Sequence, residues 1–285
     1  MQAASPAVNL LSIIREKFRG LPGGHPMTKR QFQSEKSSKT DNSTLNAAEV
    51  DRFNRLAETW WDEKGPMRTL HKFNPVRLDY LRGHILSHFN RNGDQLTPFS
   101  GLSLLDIGCG GGLLCEPLAR LGAEVTGIDP AQKNIGVARL HAAQSGLPVT
   151  YEEETVEALV EQGRQFDVVL AMEVVEHVAD VDFFVKSCCQ AVKPDGLLFL
   201  ATLNRTLKAF ALAIVGAEYV LGWLPRGTHQ WDQFVTPDEL ENALAQERFV
   251  PIDETGVIYN PLRDRWQLSR DMDVNYMLAA SRSGE

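Results

Sequence analysis

The sequence predicts an α/β fold: a mostly parallel sheet with helices on both faces and an antiparallel strand at one edge. Three observations carry that prediction. Between residues 102 and 203 short apolar runs alternate with helical stretches, the rhythm of parallel strands joined by crossover helices. Those runs are continuously apolar, as strands covered on both faces must be. After residue 248 two extended runs follow one another with no clear helix between them, so they must pair antiparallel.

The elements follow in order. The 285 residues, 43% of them hydrophobic, suffice for one full core. Before Asp41, seven bases (Arg15, Lys17, Arg19, Lys29, Arg30, Lys36, Lys39) face two acids, a local charge of +5 in a chain whose net charge is −8. This head is rich in Ser, Gly and Pro and holds one amphipathic stretch, NLLSIIREKF (9–18). Such a composition is that of an organelle-targeting segment; an ordinary disordered tail is the alternative. No apolar run precedes a small-residue cleavage site, which argues against secretion. The acidic body argues against a nucleic-acid partner bound through a broad basic face. We therefore expect a basic segment over 1–40 and one domain over 41–285, with an apolar insertion at about 205–232.

A helix is expected over 47–63, with Val50, Phe53, Leu56, Ala57 and Trp60 on one stripe. LSLLDI (102–107) reads as a buried strand, and 113–122 as a helix stopped by Gly122. Then come a strand over 123–129, a helix over 130–145, and strands over 149–154, 166–172 and 196–203. A helix starts at Thr236, and the last two extended runs cover 249–258 and 274–281. The cysteines, Cys109, Cys115, Cys188 and Cys189, are too few for a disulfide framework and lack the spacing of a zinc site. A reducing compartment fits them, and the Cys188–Cys189 pair reads as helix core.

The stretch DIGCGGG (106–112) joins the first strand to its helix, where open α/β sheets bind ligands. A dinucleotide loop would read G-x-G-x-x-G. Here Gly108, Gly110 and Gly112 alternate, Leu113 stands in place of the final glycine, and Asp106 precedes them. That is a poor phosphate loop and a good nucleoside loop. Asp129, closing the second strand, can accept hydrogen bonds from ribose hydroxyls, although Asp129-Pro130 also reads as a helix N-cap followed by proline. The Asp106–Gly112 pattern resembles the S-adenosylmethionine loop of the class I methyltransferases and implies their Rossmann-like fold.

FNPVRLDYLR (73–82), the run 106–129, EVVEHV (173–178), TLNRT (202–206), VGAEYVLGWLPRGTHQW (215–231) and DVNYML (273–278) together resemble the ubiquinone-biosynthesis O-methyltransferases. The resemblance covers about Asn46 to Ala280. It implies methyl transfer from S-adenosyl-L-methionine to ring hydroxyls of polyprenylated catechol or quinol intermediates. It further implies Arg77 on the methionine carboxylate, Met172 lining the cofactor pocket, and a mitochondrial enzyme on the matrix face of the inner membrane among other proteins of the pathway. Glu173, Glu176 and His177, if helical, share one face and could hold Mg²⁺, a hard cation that takes oxygen ligands. Such a cation would chelate adjacent hydroxyls and acidify the attacking one. His177 is alternatively the general base, free for that role only if it is not a ligand. The apolar run 208–224 is too short and mixed to span a bilayer and suits either a membrane-surface helix or a lid. Rival readings are a methyltransferase on a soluble catechol, a non-catalytic cofactor-binding scaffold, and, more remotely, a dehydrogenase.

Overall fold

In the computed structural model the described residues are 43–210 and 233–284. The chain divides after Asp41 into two units, and all described residues lie in the second. The basic head and most of the apolar insertion, 211–232, fall outside them.

Eight strands form one sheet in the order β3-β2-β1-β4-β5-β8-β6-β7. They are β1 (Ser103–Ile107), β2 (Glu124–Ile128), β3 (Thr150–Glu152), β4 (Phe166–Met172), β5 (Val192–Leu203), β6 (Phe249–Asn260), β7 (Arg265–Ser269) and β8 (Asn275–Arg282). The first five are mutually parallel, with Asp106 beside Gly127 on one side and Leu170 on the other. The last three are antiparallel. The order reverses between β1 and β4, so the carboxyl ends of those strands open onto a crevice.

Side chains alternate across the sheet into two cores. Leu104, Val168, Leu170, Phe199 and Met277 face one side. There they meet Phe73, Tyr80, Leu81 and Ile85 of a long helix, α2 (Arg68–His88). Leu105, Val169, Ala171, Leu200 and Leu278 face the other side, against Phe184 and Cys188 of α6 (Val181–Gln190) and Leu240 of α7 (Pro237–Gln246). All four cysteines are buried and free. Thr236 opens α7 with a reciprocal capping box to Glu239, the two-way bond that satisfies otherwise orphaned amides at a helix start.

The structure departs from expectation at three places. The helix expected over 47–63 ends at Leu56, as α1 (Ala47–Leu56), followed by a single 3₁₀ turn, Ala57–Thr59. The chain turns there because Trp60 and Trp61 leave the helical stripe to pack on the glycine loop. The helix α2 carries Pro75 inside it, a residue that ordinarily marks a boundary, and the sequence reading placed no element there. The carboxyl-terminal pair is a trio: polar β7 lies at the sheet edge, and β8 inserts between β5 and β6.

Candidate active site

Three strand ends build the site. β1 delivers Asp106, β2 delivers Asp129, and β4 delivers Met172 and Glu173 around a cavity of about 570 Å³. The loop after β1 turns through the left-handed region at Gly108, Gly110 and Gly112, where a side chain would be strained. At Gly110 and Gly111 a Cβ would also overlap the Trp60 ring, and at Gly112 the Tyr151 hydroxyl. Gly108 lines the cavity; Gly110 and Gly112 do not. Their part is to let Trp60 and Tyr151 approach the backbone.

Asp129 is buried and already well supplied with donors. Its Oδ1 accepts from the Ala131 amide at 2.8 Å, and its Oδ2 from the Gly110 amide at 3.0 Å and from Asn134 Nδ2 at 3.2 Å. Burial pushes its pKa up, and these three bonds oppose that. The helix that follows, α4 (Gln132–Ser145; α3 is Cys115–Arg120), has Ala131 as its N-cap. The N-cap reading of Asp129 is therefore corrected: its side chain bonds an amide two residues on, outside the helix.

Arg77 is 4% exposed. Its Nη2 donates to Asn74 Oδ1 at 2.9 Å and its guanidinium lies 5.1 Å from the Phe73 ring centroid. Its Nε is buried without a hydrogen-bond partner. Burial lowers its pKa, and the charges of Glu173 and Asp106 oppose that. Asp106 is pushed up to about 6, chiefly by burial, against a hydrogen bond from the Cys115 thiol and the charge of Arg77.

The EVVEH stretch differs from expectation. Glu173 sits at φ 63°, a left-handed conformation rare for a residue with a Cβ, and breaks the chain direction where β4 ends. Only Val175–His177 is helical, as one 3₁₀ turn, so the shared face expected for Glu173, Glu176 and His177 does not form. All three line the cavity. Buried Glu176 accepts from Thr202 Oγ1 at 2.7 Å, and burial followed by the Glu173 charge raises its pKa. His177 Nδ1 lies 2.9 Å from Glu49 Oε2, which holds the Glu49 carboxyl below its usual range. Among the described residues no group of three or more His, Cys, Asp or Glu is placed to hold a metal ion.

The sequence missed the roof of the cavity. Residues 44–70 contribute Glu49, Phe53, Leu56 and Trp60 to its lining. Thr44 anchors this strap at one side, its carbonyl accepting from the Ala179 amide and its hydroxyl donating to Glu157. Trp60 Nε1 donates to Asn134 Oδ1 at 2.8 Å and Trp61 Nε1 to the Gly111 carbonyl at 2.9 Å on the other side. The paired indoles of WWDEKG (60–65) were the available signal, since an indole N–H that is buried needs a partner.

Residues 77–251 match a methyltransferase domain family. The ubiquinone biosynthesis O-methyltransferase of Methylobacterium nodulans is 62% identical over 245 residues, 86% of this chain and 98% of that protein. The enzyme of the same name from Chelativorans sp. is 60% identical over 84% of this chain and 95% of its own length. The chain belongs to the ubiquinone biosynthesis O-methyltransferase family. It is accordingly an S-adenosylmethionine-dependent O-methyltransferase. Among solved structures, magnesium protoporphyrin IX methyltransferase from Synechocystis with bound SAH superposes with a TM-score of 0.60 at 21% identity, over 83% of this chain and 99% of that one. The plantazolicin methyltransferase BpumL gives 0.57 at 14% identity, over 83% and 98% of the two chains. These two likenesses concern the fold.

The residues present fit the cofactor of this family. A buried arginine with an unpaired N–H suits a carboxylate, and a buried aspartate beside a side-chain-free loop suits a ribose. They do not, as arranged, form a three-ligand cation site, because Glu176 and His177 are turned to Thr202 and Glu49.

Proposed function

We propose that the protein moves the methyl group of S-adenosylmethionine to a ring hydroxyl of a polyprenylated dihydroxybenzene, at the matrix face of the mitochondrial inner membrane. The two-part lining of the cavity carries this reading. Buried polar groups, Arg77, Asp106 and Asp129, gather at the strand ends, while Phe53, Leu56, Leu70, Phe73, Ile258 and Trp266 supply an apolar wall. The polar part suits an amino acid joined to a nucleoside; the apolar part suits a flat ring bearing hydrocarbon.

When bound, the cofactor supplies a methyl carbon on a sulfonium. Attack by the ring oxygen would take that methyl and leave the neutral thioether behind, and the phenolic proton would have to go to a base on the protein. His177, lining the cavity with Nδ1 held by Glu49, is the residue we assign to accept it. Met172 and Gly108 shape the wall for the cofactor, and the strap over residues 44–70 keeps water from the reacting atoms, so that positioning and proton removal supply the rate.

A cation at Glu173, Glu176 and His177 requires the Glu49–His177 and Thr202–Glu176 contacts to part, and no step above depends on it. Targeting rests on the +5 head, and the chain is longer than its Methylobacterium relative, which aligns over 98% of its own length but 86% of this one. Membrane contact rests on the apolar run 208–224, and association with other proteins of the pathway on the family resemblance; among the described residues no helix is long and apolar enough to cross a membrane.

The test is transfer of labelled methyl from S-adenosylmethionine to a prenylated catechol acid, with and without EDTA, then with Mg²⁺ restored. Transfer is expected. Loss with EDTA and recovery with Mg²⁺ would return Glu173, Glu176 and His177 to a cation site. Transfer indifferent to EDTA leaves His177 as base, and no transfer with cofactor still bound overturns the reading. Activity confined to short-chain catechols would favour a soluble substrate, and unchanged liposome co-sedimentation after deleting 208–224 would remove the membrane role of that run.

A further inference from the structure

Asn134 stands on the first turn of α4, 1% exposed, and does not line the cavity. Its side chain nevertheless joins two groups that do. The amide oxygen accepts from Trp60 Nε1 at 2.8 Å, and the amide nitrogen donates to Asp129 Oδ2 at 3.2 Å. An indole can only donate and a carboxylate can only accept, so the two neighbours fix which end of the amide faces each. We infer that Asn134 is a positioning residue that occupies the Asp129 carboxylate until the cofactor ribose displaces it, and that it couples that carboxylate to Trp60 in the strap. The inference rests on the reading of Asp129 as the ribose acid.

Acceptor capacity decides which bond gives way. A carboxylate offers about four lone-pair sites. Three protein donors already use them: the amides of Gly110 and Ala131 and the side chain of Asn134. A ribose brings two hydroxyl donors, one more than the remaining capacity. The two backbone donors are fixed by the glycine loop and by the approach to α4. The Asn134 bond is the longest of the three and the only one on a rotatable side chain, so it is the one that yields.

When it yields, the amide turns, and the Trp60 N–H must follow or lose its acceptor. Trp60 cannot move toward the loop, because its ring already fills the space over Gly110 and Gly111. It moves with the strap. Occupancy of the ribose subsite is thus communicated to the roof of the cavity through one side chain.

The test uses the full-length protein, S-adenosylhomocysteine, and the same ligand lacking both ribose hydroxyls. Wild type, Asn134→Ala and Trp60→Phe are compared by calorimetry and by tryptophan emission, with Trp60→Phe defining which part of the emission belongs to Trp60. Wild type should show a Trp60 emission change with S-adenosylhomocysteine and none with the dideoxy ligand. Asn134→Ala should bind S-adenosylhomocysteine about tenfold more tightly, because the hydrogen bond to a charged group that the ribose must displace is already absent, and lose the emission change at saturation. Its affinity for the dideoxy ligand should match wild type, a split that a merely structural loss would not produce. Trp60→Phe, which keeps a ring but no N–H, should tighten only the hydroxylated ligand, and it carries the test by calorimetry if Asn134→Ala fails to fold. An intact emission change in folded Asn134→Ala, or weaker binding of S-adenosylhomocysteine or an equal change for both ligands in either variant, overturns the inference. If the dideoxy ligand binds wild type as tightly as S-adenosylhomocysteine, the ribose role of Asp129 itself fails, and this inference with it.

Discussion

Trp61 lies flat on the imidazole of His141, with ring centroids 3.4 Å apart and planes 4° from parallel. The same indole donates to the Gly111 carbonyl, while His141 Nδ1 lies 2.5 Å from Oε1 of buried Glu116. One side chain therefore ties the glycine loop to α4 and, through Glu116, to α3. Trp61→Ala should cost about 2–4 kcal/mol, near the lower end for losing a large aromatic because Trp61 is only half-buried. Trp61→Phe keeps the stack and loses one hydrogen bond, about 1 kcal/mol. Urea unfolding of the two variants checks the ranking, and equal losses would show that the stack contributes nothing.

Arg77 makes a second prediction. Its buried Nε without a partner marks it for the carboxylate of the cofactor and not for the nucleoside. Arg77→Met should weaken S-adenosylhomocysteine about 30- to 5,000-fold, the range for removing one partner of a buried charge pair. Adenosine, which lacks the amino-acid part, should bind unchanged. Arg77→Lys should fall between, since an ammonium cannot replace a planar fork. Calorimetry with both ligands reads the difference directly.

The third concerns pH. Burial pushes Asp106 up to about 6 from an ordinary 3.8. A group that holds its proton more tightly when folded stabilises the fold fully only below its unfolded pKa. As pH rises from about 4 to 6 the unfolded chain ionises first, and stability drains away; above about 6 the loss is complete and constant. Asp106→Asn lacks this term. The stability of Asp106→Asn relative to wild type, both without cofactor, should therefore rise across that window, by up to about 3 kcal/mol. Thermal melts from pH 4 to 8 check it, and a difference that is flat with pH would place the Asp106 carboxyl in a better-solvated setting.

The sequence carried the parallel half of the fold well, because continuous apolar runs such as LSLLDI and FDVVLAM can be buried on both faces only in a covered sheet. It carried the loop and Asp129 as a chemical pattern. What it could not show depends on distant partners. Nothing near Glu49 in the chain points to His177, 128 positions away, and Trp60 read as one more residue of a helical stripe. Arg77 entered only through the family resemblance, since nothing local in the sequence shows that α2 buries it. The EVVEH spacing suggested a helical face, but spacing alone does not reveal that Glu173 adopts a left-handed turn. β7, five residues of mixed polarity at an edge, has too little apolar signal to be read locally.

The place of β8 has a consequence for how the protein is made. This strand pairs with β5 on one side and β6 on the other, yet it follows both in the chain. During synthesis the β6–β7 hairpin emerges before the strand that joins it to the rest of the sheet, and β5 waits with one edge unpaired. Both edges stay open to foreign strands until 275–282 arrives, the exposure that invites misassembly. A ribosome stalled with residues up to 270 clear of its tunnel should therefore display a nascent chain that binds chaperones strongly, and a stall with twelve more residues clear should release it.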